Sequence, residues 1–294
     1  MKESINVTEK EIQKRRDSAK CSRMSFGYEQ MQMTMLDIQI ETCDVQYKKI
    51  ANDLLLEICV LRRLQGNGHF TRLIHYGTYE GRNFFVMQIL GANLSDVRRS
   101  CPERKLTMST AMRLGSQCLD AVEALHDTSF LHRGIKLINF ALGPTPSDQR
   151  NVYLLDFSMV RRFKIPPDNK VRPARRYAVY RGALTYASPN NLMHRDAGRC
   201  DDLCSWFYCL AEMAGGDLPW ERTGYDIGQR LRSNESYKTS SISLSKMIKL
   251  EKLAKQKLDS RQELLKNFPT ELATLYDEIF SLQYDDQPDY KLYK

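Results

Sequence analysis

Residues 130–163 read FLHRGIKLINFALGPTPSDQRNVYLLDFSMVRRF, and every other part of the chain can be placed relative to them. The stretch reads as strand, loop, strand, loop. Its second strand is the apolar run Val152-Tyr153-Leu154-Leu155, which has the look of a buried strand. Asp156-Phe157-Ser158 follows it directly, and His132-Arg133-Gly134-Ile135-Lys136-Leu137-Ile138-Asn139 precedes it in the first loop. Either run alone would be a weak signal. The two in this order, at this separation, restrict the fold far more. Residue 134, in the middle of the first run, is a glycine and brings no side chain to any chemistry.

At 294 residues, with an ordinary globular composition, the chain can bury a sizeable core as one large domain or two small ones. Its net charge of +8 and pI near 9.0 suit acidic partners such as phosphoproteins, nucleic acid or anionic membrane, and equally suit a basic surface with no specific partner. The eight cysteines form no C-x-x-C pair and no zinc-type spacing. Cys200, Cys204 and Cys209 fall in a predicted helix, where they are expected to pack as small apolar residues. Reduced thiols fit an intracellular protein, cytoplasmic or nuclear. The opening MKESINVTEKEIQKRRDSAK has no apolar core, so no signal peptide is expected, and no apolar run is long enough to span a membrane.

Taken in order, residues 1–20 are a polar N-terminal extension of mixed charge. Met31, Met33 and Met35, then Ile38 and Ile40, alternate with a change of phase near Leu36-Asp37, which predicts two strands and a hairpin turn. Tyr47–Gln65 has helical spacing at Ile50, Leu54, Ile58, Leu61 and Leu64, with Gly66 as its cap. Strands are expected at His69–Tyr76 and Asn83–Ile89, joined by Glu80-Gly81-Arg82-Asn83. Gly91-Ala92-Asn93-Leu94 closes this first part. Beyond it the chain is mainly helical. Helices are predicted over Ser109–His126, from near Asp201 through Tyr208–Met213, and over Met247–Leu258, Gln262–Lys266 and Thr270–Leu282. Leu218-Pro219-Trp220 reads as a loop and the serine-rich 232–245 as an exposed insertion. The pattern is α+β: a small strand-rich lobe and a larger helical lobe.

The two runs of the central stretch resemble the catalytic loop and the D-F-G segment of protein kinases. More narrowly, the chain resembles the casein kinase I superfamily and, within it, the tau-tubulin kinase branch. The residues that carry this are Phe130-Leu131-His132-Arg133, Ile138-Asn139-Phe140-Ala141, Leu155-Asp156-Phe157, Val171-Arg172-Pro173, Arg181-Gly182, Tyr186-Ala187-Ser188 with Asn190, Asp201-Asp202-Leu203, Leu218-Pro219-Trp220 and Pro288-Asp289-Tyr290. The resemblance covers residues 21–294 and is weakest before Leu54. It implies a two-lobed kinase domain, with the small lobe at about 21–90 and the large lobe at about 91–294. It also implies a nucleotide cleft with its hinge at Gln88 to Leu90, Met87 as gatekeeper, and Glu57 as the glutamate that would pair with the ATP lysine. Asn139 and Asp156 match the metal ligands, Lys136 the lysine that steadies the transferring phosphate, and Asp202 the aspartate that holds the catalytic loop.

What departs from the family pattern is equally definite. Gly134 stands where the catalytic base belongs. No lysine occurs between Lys20 and Lys48, and Gly27 is the only glycine before Gly66, so the ATP lysine and the glycine-rich loop are both missing. Ser158 replaces the glycine of D-F-G. A lost base is worth ~10²–10⁴-fold in rate, but in phosphoryl transfer the lost positioning groups matter more. The expectation is a pseudokinase acting as a protein-binding or scaffold module, with ATP and Mg²⁺ bound weakly or not at all. The alternative is an active Ser/Thr kinase in which Lys48, Lys49 or Lys136 compensates. The expected partner is a protein, acidic or phosphorylated, that meets Arg172, Arg175, Arg176 and Arg181; no specific nucleic acid is expected.

Overall fold

The computed structural model describes residues 29–33, 38–44, 48–79, 82–233 and 244–294. The extension 1–20, the turn at Leu36-Asp37, Glu80-Gly81 and residues 234–243 of the serine-rich segment lie outside the described residues, as do the side chains of Glu29, Glu41, Lys48 and Lys49. The chain forms two compact units, one of residues up to Ile58 with Arg72–Ile89, the other of Cys59–Thr71 with Leu90–Lys294.

The first unit is built on an antiparallel sheet. Strands β1 (Glu29–Met33) and β2 (Ile38–Asp44) pair antiparallel in a register that sets Met31 opposite Ile40 and Met33 opposite Ile38. Helix α1 (Lys48–Leu64) follows, its residues from Cys59 onward belonging to the second unit; Leu54, Ile58, Leu61 and Leu64 are buried while Leu55 is exposed, the spacing of one apolar stripe. Strands β3 (Leu73–Tyr79) and β4 (Arg82–Gln88) complete the order β1-β2-β4-β3. The strand expected from His69 begins later, at Leu73, because His69 is used elsewhere. Within the second unit its ring Nδ1 lies 2.9 Å from the Val152 carbonyl, and its own carbonyl accepts from the Leu154 amide at 3.0 Å.

The second unit is mainly helical. Helix α2 (Leu94–Ser100) starts inside the segment that the sequence suggested was a closing loop. Asn93 caps it, its side-chain oxygen accepting from the Asp96 amide at 2.9 Å. Helix α3 (Met108–Asp127) is capped by Thr107 and leads into three short strands, β5 (Phe130–Leu131), β6 (Phe140–Leu142) and β7 (Val152–Leu154). Further two-residue strands, β8 (Arg161–Arg162), β9 (Lys164–Ile165) and β10 (Lys170–Val171), and the short helix α4 (Pro189–Leu192) lead to α5.

Helix α5 (Arg199–Gly215) is buried on every side from Arg199 to Met213 and is the axis of this unit. It comes close to α3 because Gly115 has no side chain; a Cβ there would lie 2.9 Å from Leu210 Cδ1. Trp206 Nε1 donates to the Gly115 carbonyl at 2.8 Å. Cys200, Cys204 and Cys209 are buried free thiols in this helix, as their placement among apolar neighbours predicted. Helix α6 (Glu221–Ser233) was not anticipated; Gly224 and Gly228 and its polar composition hide it. Helices α7 (Leu244–Asp259), α8 (Arg261–Leu265) and α9 (Thr270–Ser281) close the unit; α8 and α9 lie within one residue of the periodicity reading, while α7 begins three residues early, inside the segment expected to be an insertion.

Lys257 of α7 is fully buried. Its Nζ donates to the carbonyls of Leu184, Thr185 and Ala187 at 2.9, 2.8 and 2.7 Å, and it lies 4.8 and 5.0 Å from the ring centres of Tyr208 and Trp220. Burial pulls its pKa well down. Three acceptors at once nevertheless use all three N–H bonds of an ammonium, and two aromatic faces favour the cation. No helix among the described residues is long and apolar enough to cross a membrane.

Candidate active site

The site is set by the two runs of the central stretch, and the whole of it lies in the second unit. β6 and β7 pair antiparallel, Phe140 opposite Leu154 and Ala141 opposite Tyr153, which brings the loop before β6 beside the segment after β7. The connection is reinforced by the Leu155 amide donating to the Asn139 carbonyl at 2.9 Å.

The loop from His132 to Lys136 hangs from one buried carboxylate. Asp202 of α5 accepts from the His132 amide at 2.7 Å and the Arg133 amide at 2.8 Å. It also faces His126 Nε2 at 3.0 Å, and the other nitrogen of His126 meets the Tyr290 hydroxyl at 2.5 Å. Burial raises the Asp202 pKa, but the donors around it, His126 first, outweigh burial and leave it lowered. Arg133 sits at φ 61, a left-handed turn that aims both amides at Asp202. His132 is fully buried. Its Nε2 lies 3.0 Å from the Leu155 carbonyl and its Nδ1 accepts from the Gly134 amide at 3.2 Å. This pattern suits the neutral ring, and burial lowers its pKa.

Gly134 keeps the loop's hydrogen bonds without a side chain. Its carbonyl accepts from Asn139 Nδ2 at 2.9 Å. The same nitrogen donates to Asp156 Oδ2 at 3.2 Å, which leaves the Asn139 amide oxygen over as an acceptor. Lys136 Nζ lies 3.7 Å from the same Oδ2, and Ser158 Oγ donates to Oδ1 at 2.6 Å. Burial raises the Asp156 pKa, and Ser158, Lys136 and the other donors more than reverse the effect. Phe157 fixes the turn from below, buried with its ring 5.6 Å from His132 and 6.0 Å from Phe70. Lys136, Asn139 and Asp156 are thus brought together around the empty position at residue 134. Of the other expected site residues, Glu57 on α1 and Met87 on β4 are buried in the first unit, Gln88 is half-buried there, and Leu90 is half-buried at the start of the second.

The described residues contain no cluster of three or more His, Cys, Asp or Glu able to hold a metal alone. Asp156 and Asn139 each carry an oxygen of the kind Mg²⁺ prefers, although it is Asn139 Nδ2 that faces the Asp156 carboxylate here.

The arginines that follow are not equivalent. Arg175 is tied to the buried Asp196: its backbone N–H, Nε and Nη2 donate to the carboxylate at 3.0, 3.2 and 2.7 Å, and Arg161 pairs with the same group. Burial opposes ionisation of Asp196, but the two guanidiniums hold its pKa down at about 2. Arg172 and Arg176 are exposed. Arg181 lines a pocket together with Arg133, Arg175, Arg195 and Tyr180. The Tyr180 hydroxyl is buried with no hydrogen-bond partner, and burial raises its pKa. Arg133 donates from Nε to the Met159 carbonyl at 2.8 Å, and its pKa is pushed down to about 10, first by burial and then by Arg161.

Asp196, Tyr180 and Arg195 were not singled out from the sequence. The only signal for them was their neighbourhood to Arg175 and Arg181, which the fold turns into contact: the Ala178 amide donates to the His194 carbonyl at 2.8 Å, and the Tyr177 and His194 rings stack at 5.0 Å.

Comparison with known proteins agrees with this geometry. The family model for the protein kinase domain matches residues 35–286. A protein of Dictyostelium discoideum described as a probable serine/threonine-protein kinase is 35% identical over 253 residues, covering 86% of this chain and 46% of its own length. The serine/threonine-protein kinase spe-6 of Caenorhabditis elegans is 29% identical over 249 residues, covering 85% of this chain and 61% of its own. The chain therefore spans about half to three-fifths of the length of these relatives. It belongs to the protein kinase family.

Proposed function

We propose that this member of the protein kinase family is a divergent casein kinase I-like domain of the tau-tubulin kinase branch, impaired in phosphoryl transfer and acting as a binding module for acidic or phosphorylated proteins. The observation that carries the reading is the loop around Gly134. Asp202, His132 and Asn139 hold it in a complete hydrogen-bonded frame, yet no carboxylate stands where a substrate hydroxyl would give up its proton. Lys136, with no carboxylate at residue 134 to face, points its ammonium at Asp156.

In this reading Asp156 and the Asn139 amide oxygen would hold Mg²⁺, which would neutralise charge on a bound nucleotide's phosphates. Nucleotide binding is weak, because residues 21–47 contain no lysine to anchor the phosphates. The kinase-like domain runs from about residue 21 to 294, and the retained role falls to the arginines after β10. Arg181, Arg195, Arg133 and Tyr180 line one pocket. Guanidiniums and a phenol hydroxyl are donors fitted to carboxylate or phosphate. A second reading, an active Ser/Thr kinase with atypical residues, is favoured by the survival of Lys136, Asn139 and Asp156 in one cluster.

Two measurements on one preparation separate them. Radiolabelled ATP with casein or tubulin is expected to give no incorporation above that of Asp156→Ala. A phosphopeptide is expected to bind with an affinity that falls as salt rises, and to bind at least tenfold more weakly to the double variant Arg181→Ala/Arg195→Ala. Incorporation that disappears in Asp156→Ala would establish the active kinase instead, and unchanged phosphopeptide affinity in the double variant would remove the pocket from the reading.

A further inference from the structure

Ser158 has no part in the reading above. It follows Phe157 in a tight turn, Phe157–Met159, that carries its hydroxyl back over Asp156. Oγ donates to Asp156 Oδ1 at 2.6 Å, while Oδ2 is occupied by the Asn139 amide at 3.2 Å and faced by the Lys136 ammonium at 3.7 Å. Both oxygens of the carboxylate are therefore served by donors from the chain itself. Because Phe157 is buried against His132 and Phe70, the turn is already fixed and little further order is needed to deliver the hydroxyl. A glycine at residue 158 would offer no such donor.

We propose that Ser158 is a positioning residue that closes the Asp156 carboxylate with an internal hydrogen bond and thereby sets how tightly this site takes a divalent cation. A hard cation that coordinates Oδ1 competes with the hydroxyl for the charge on that oxygen. It binds only by turning the hydroxyl away or by sharing an oxygen whose charge is already partly satisfied. A hydrogen bond to an ionised acceptor is worth enough to set the two states about tenfold apart. Opening the site requires only rotation of one short side chain, so the closure is reversible and leaves the backbone in place. The inference concerns the cation alone and stands whether or not phosphoryl transfer is lost.

The probe is Mn²⁺ by itself, with the free ion counted from its electron paramagnetic resonance signal and no activity measured. Ser158→Ala removes the hydroxyl and keeps the Cβ, and is expected to bind Mn²⁺ about tenfold more tightly than the natural protein. Ser158→Thr returns a hydroxyl and is expected to return the natural affinity, and Asp156→Ala is expected to lose the site. Thermal melting of each variant separates a folding defect from a change in affinity. Equal Mn²⁺ affinity in the serine and alanine proteins would overturn the proposal. So would weaker binding by Ser158→Ala, which would make the hydroxyl a ligand rather than a competitor, and so would the absence of Asp156-dependent binding in both.

Discussion

Putting a carboxylate back at residue 134 isolates the contribution of the missing base. A Cβ built on Gly134 would meet His132 Nδ1 at 3.4 Å, His132 Cε1 at 3.5 Å and Asn139 Nδ2 at 3.9 Å, all ordinary contacts, and the backbone there is outside the left-handed region. The Cβ of Gly134→Asp is therefore accommodated without moving the loop. Removing a glycine from the unfolded chain stabilises by about 0.4–1 kcal/mol, and the added charge near Asp156 is offset by Lys136 beside it. The melting temperature is expected to move by no more than about 2–4 °C. On the chemistry, a general base restores ~10²–10⁴-fold, or about 3–5 kcal/mol of barrier. Positioning of the reacting groups is worth about 7–11 kcal/mol, and the side chains that would supply it in this family have no counterpart between Lys20 and Lys48. Gly134→Asp is accordingly expected to stay at the background of the natural protein when both are assayed with radiolabelled ATP and casein. Incorporation by Gly134→Asp that vanishes on adding Asp156→Ala would refute this reasoning, because it would make residue 134 the only lesion.

Two further outcomes follow from the electrostatics of the second unit. Asp201 accepts from the Gly198 amide at 2.7 Å and from the Ser188 hydroxyl, yet burial raises its pKa to about 6. The folded protein then binds this proton more tightly than the unfolded chain, so the carboxyl's contribution is intact below about pH 4 and is lost as pH rises through about 6, by up to about 3 kcal/mol. Asp201→Asn, whose amide can serve both partners, is expected to flatten urea-unfolding stability between pH 4 and 6; an unchanged slope would contradict the assignment. Arg175→Ala is expected to cost about 1–3 kcal/mol in the same assay, because it leaves Asp196 buried with Arg161 as its remaining ion pair. Arg176→Ala is expected to stay within about 0.5 kcal/mol, and equal effects of the two would show that Asp196 is not the anchor.

How much of this was legible in the sequence depends on where the partners of each residue lie. Helices α1, α3, α7 and α9 announce themselves because one apolar stripe repeats over several turns. α5 is recognisable as a helix although it is buried all round, since Trp206, Phe207, Tyr208 and Leu210 leave it nowhere to be but the core. The cluster of Lys136, Asn139 and Asp156 is legible because its members come from two short runs whose separation implies pairing strands. Helices α2 and α6 were hidden by glycine and by polar composition. The start of β3 was misplaced because His69 bonds to Val152 and Leu154, residues far along the chain that no local pattern names.

The arginines show the same limit most clearly. In the sequence Arg172, Arg175, Arg176 and Arg181 are one basic run. In the fold a single buried carboxylate, Asp196, takes Arg175 and Arg161 and leaves Arg133, Arg181 and Arg195 without a carboxylate ion pair among the described residues. Arg133 registers the imbalance: burial, then Arg161, with Arg175 and Arg181 adding to it, pushes its pKa down to about 10 against the opposing pull of Asp202. An incoming carboxylate or phosphate would relieve this crowding of like charge. Arg172 and Arg176 do not line the pocket that Arg133, Arg181 and Arg195 line. Under the proposed function, the surface for an acidic or phosphorylated partner is the pocket edged by Arg181 and Arg195, with Arg175 held to Asp196 in its wall.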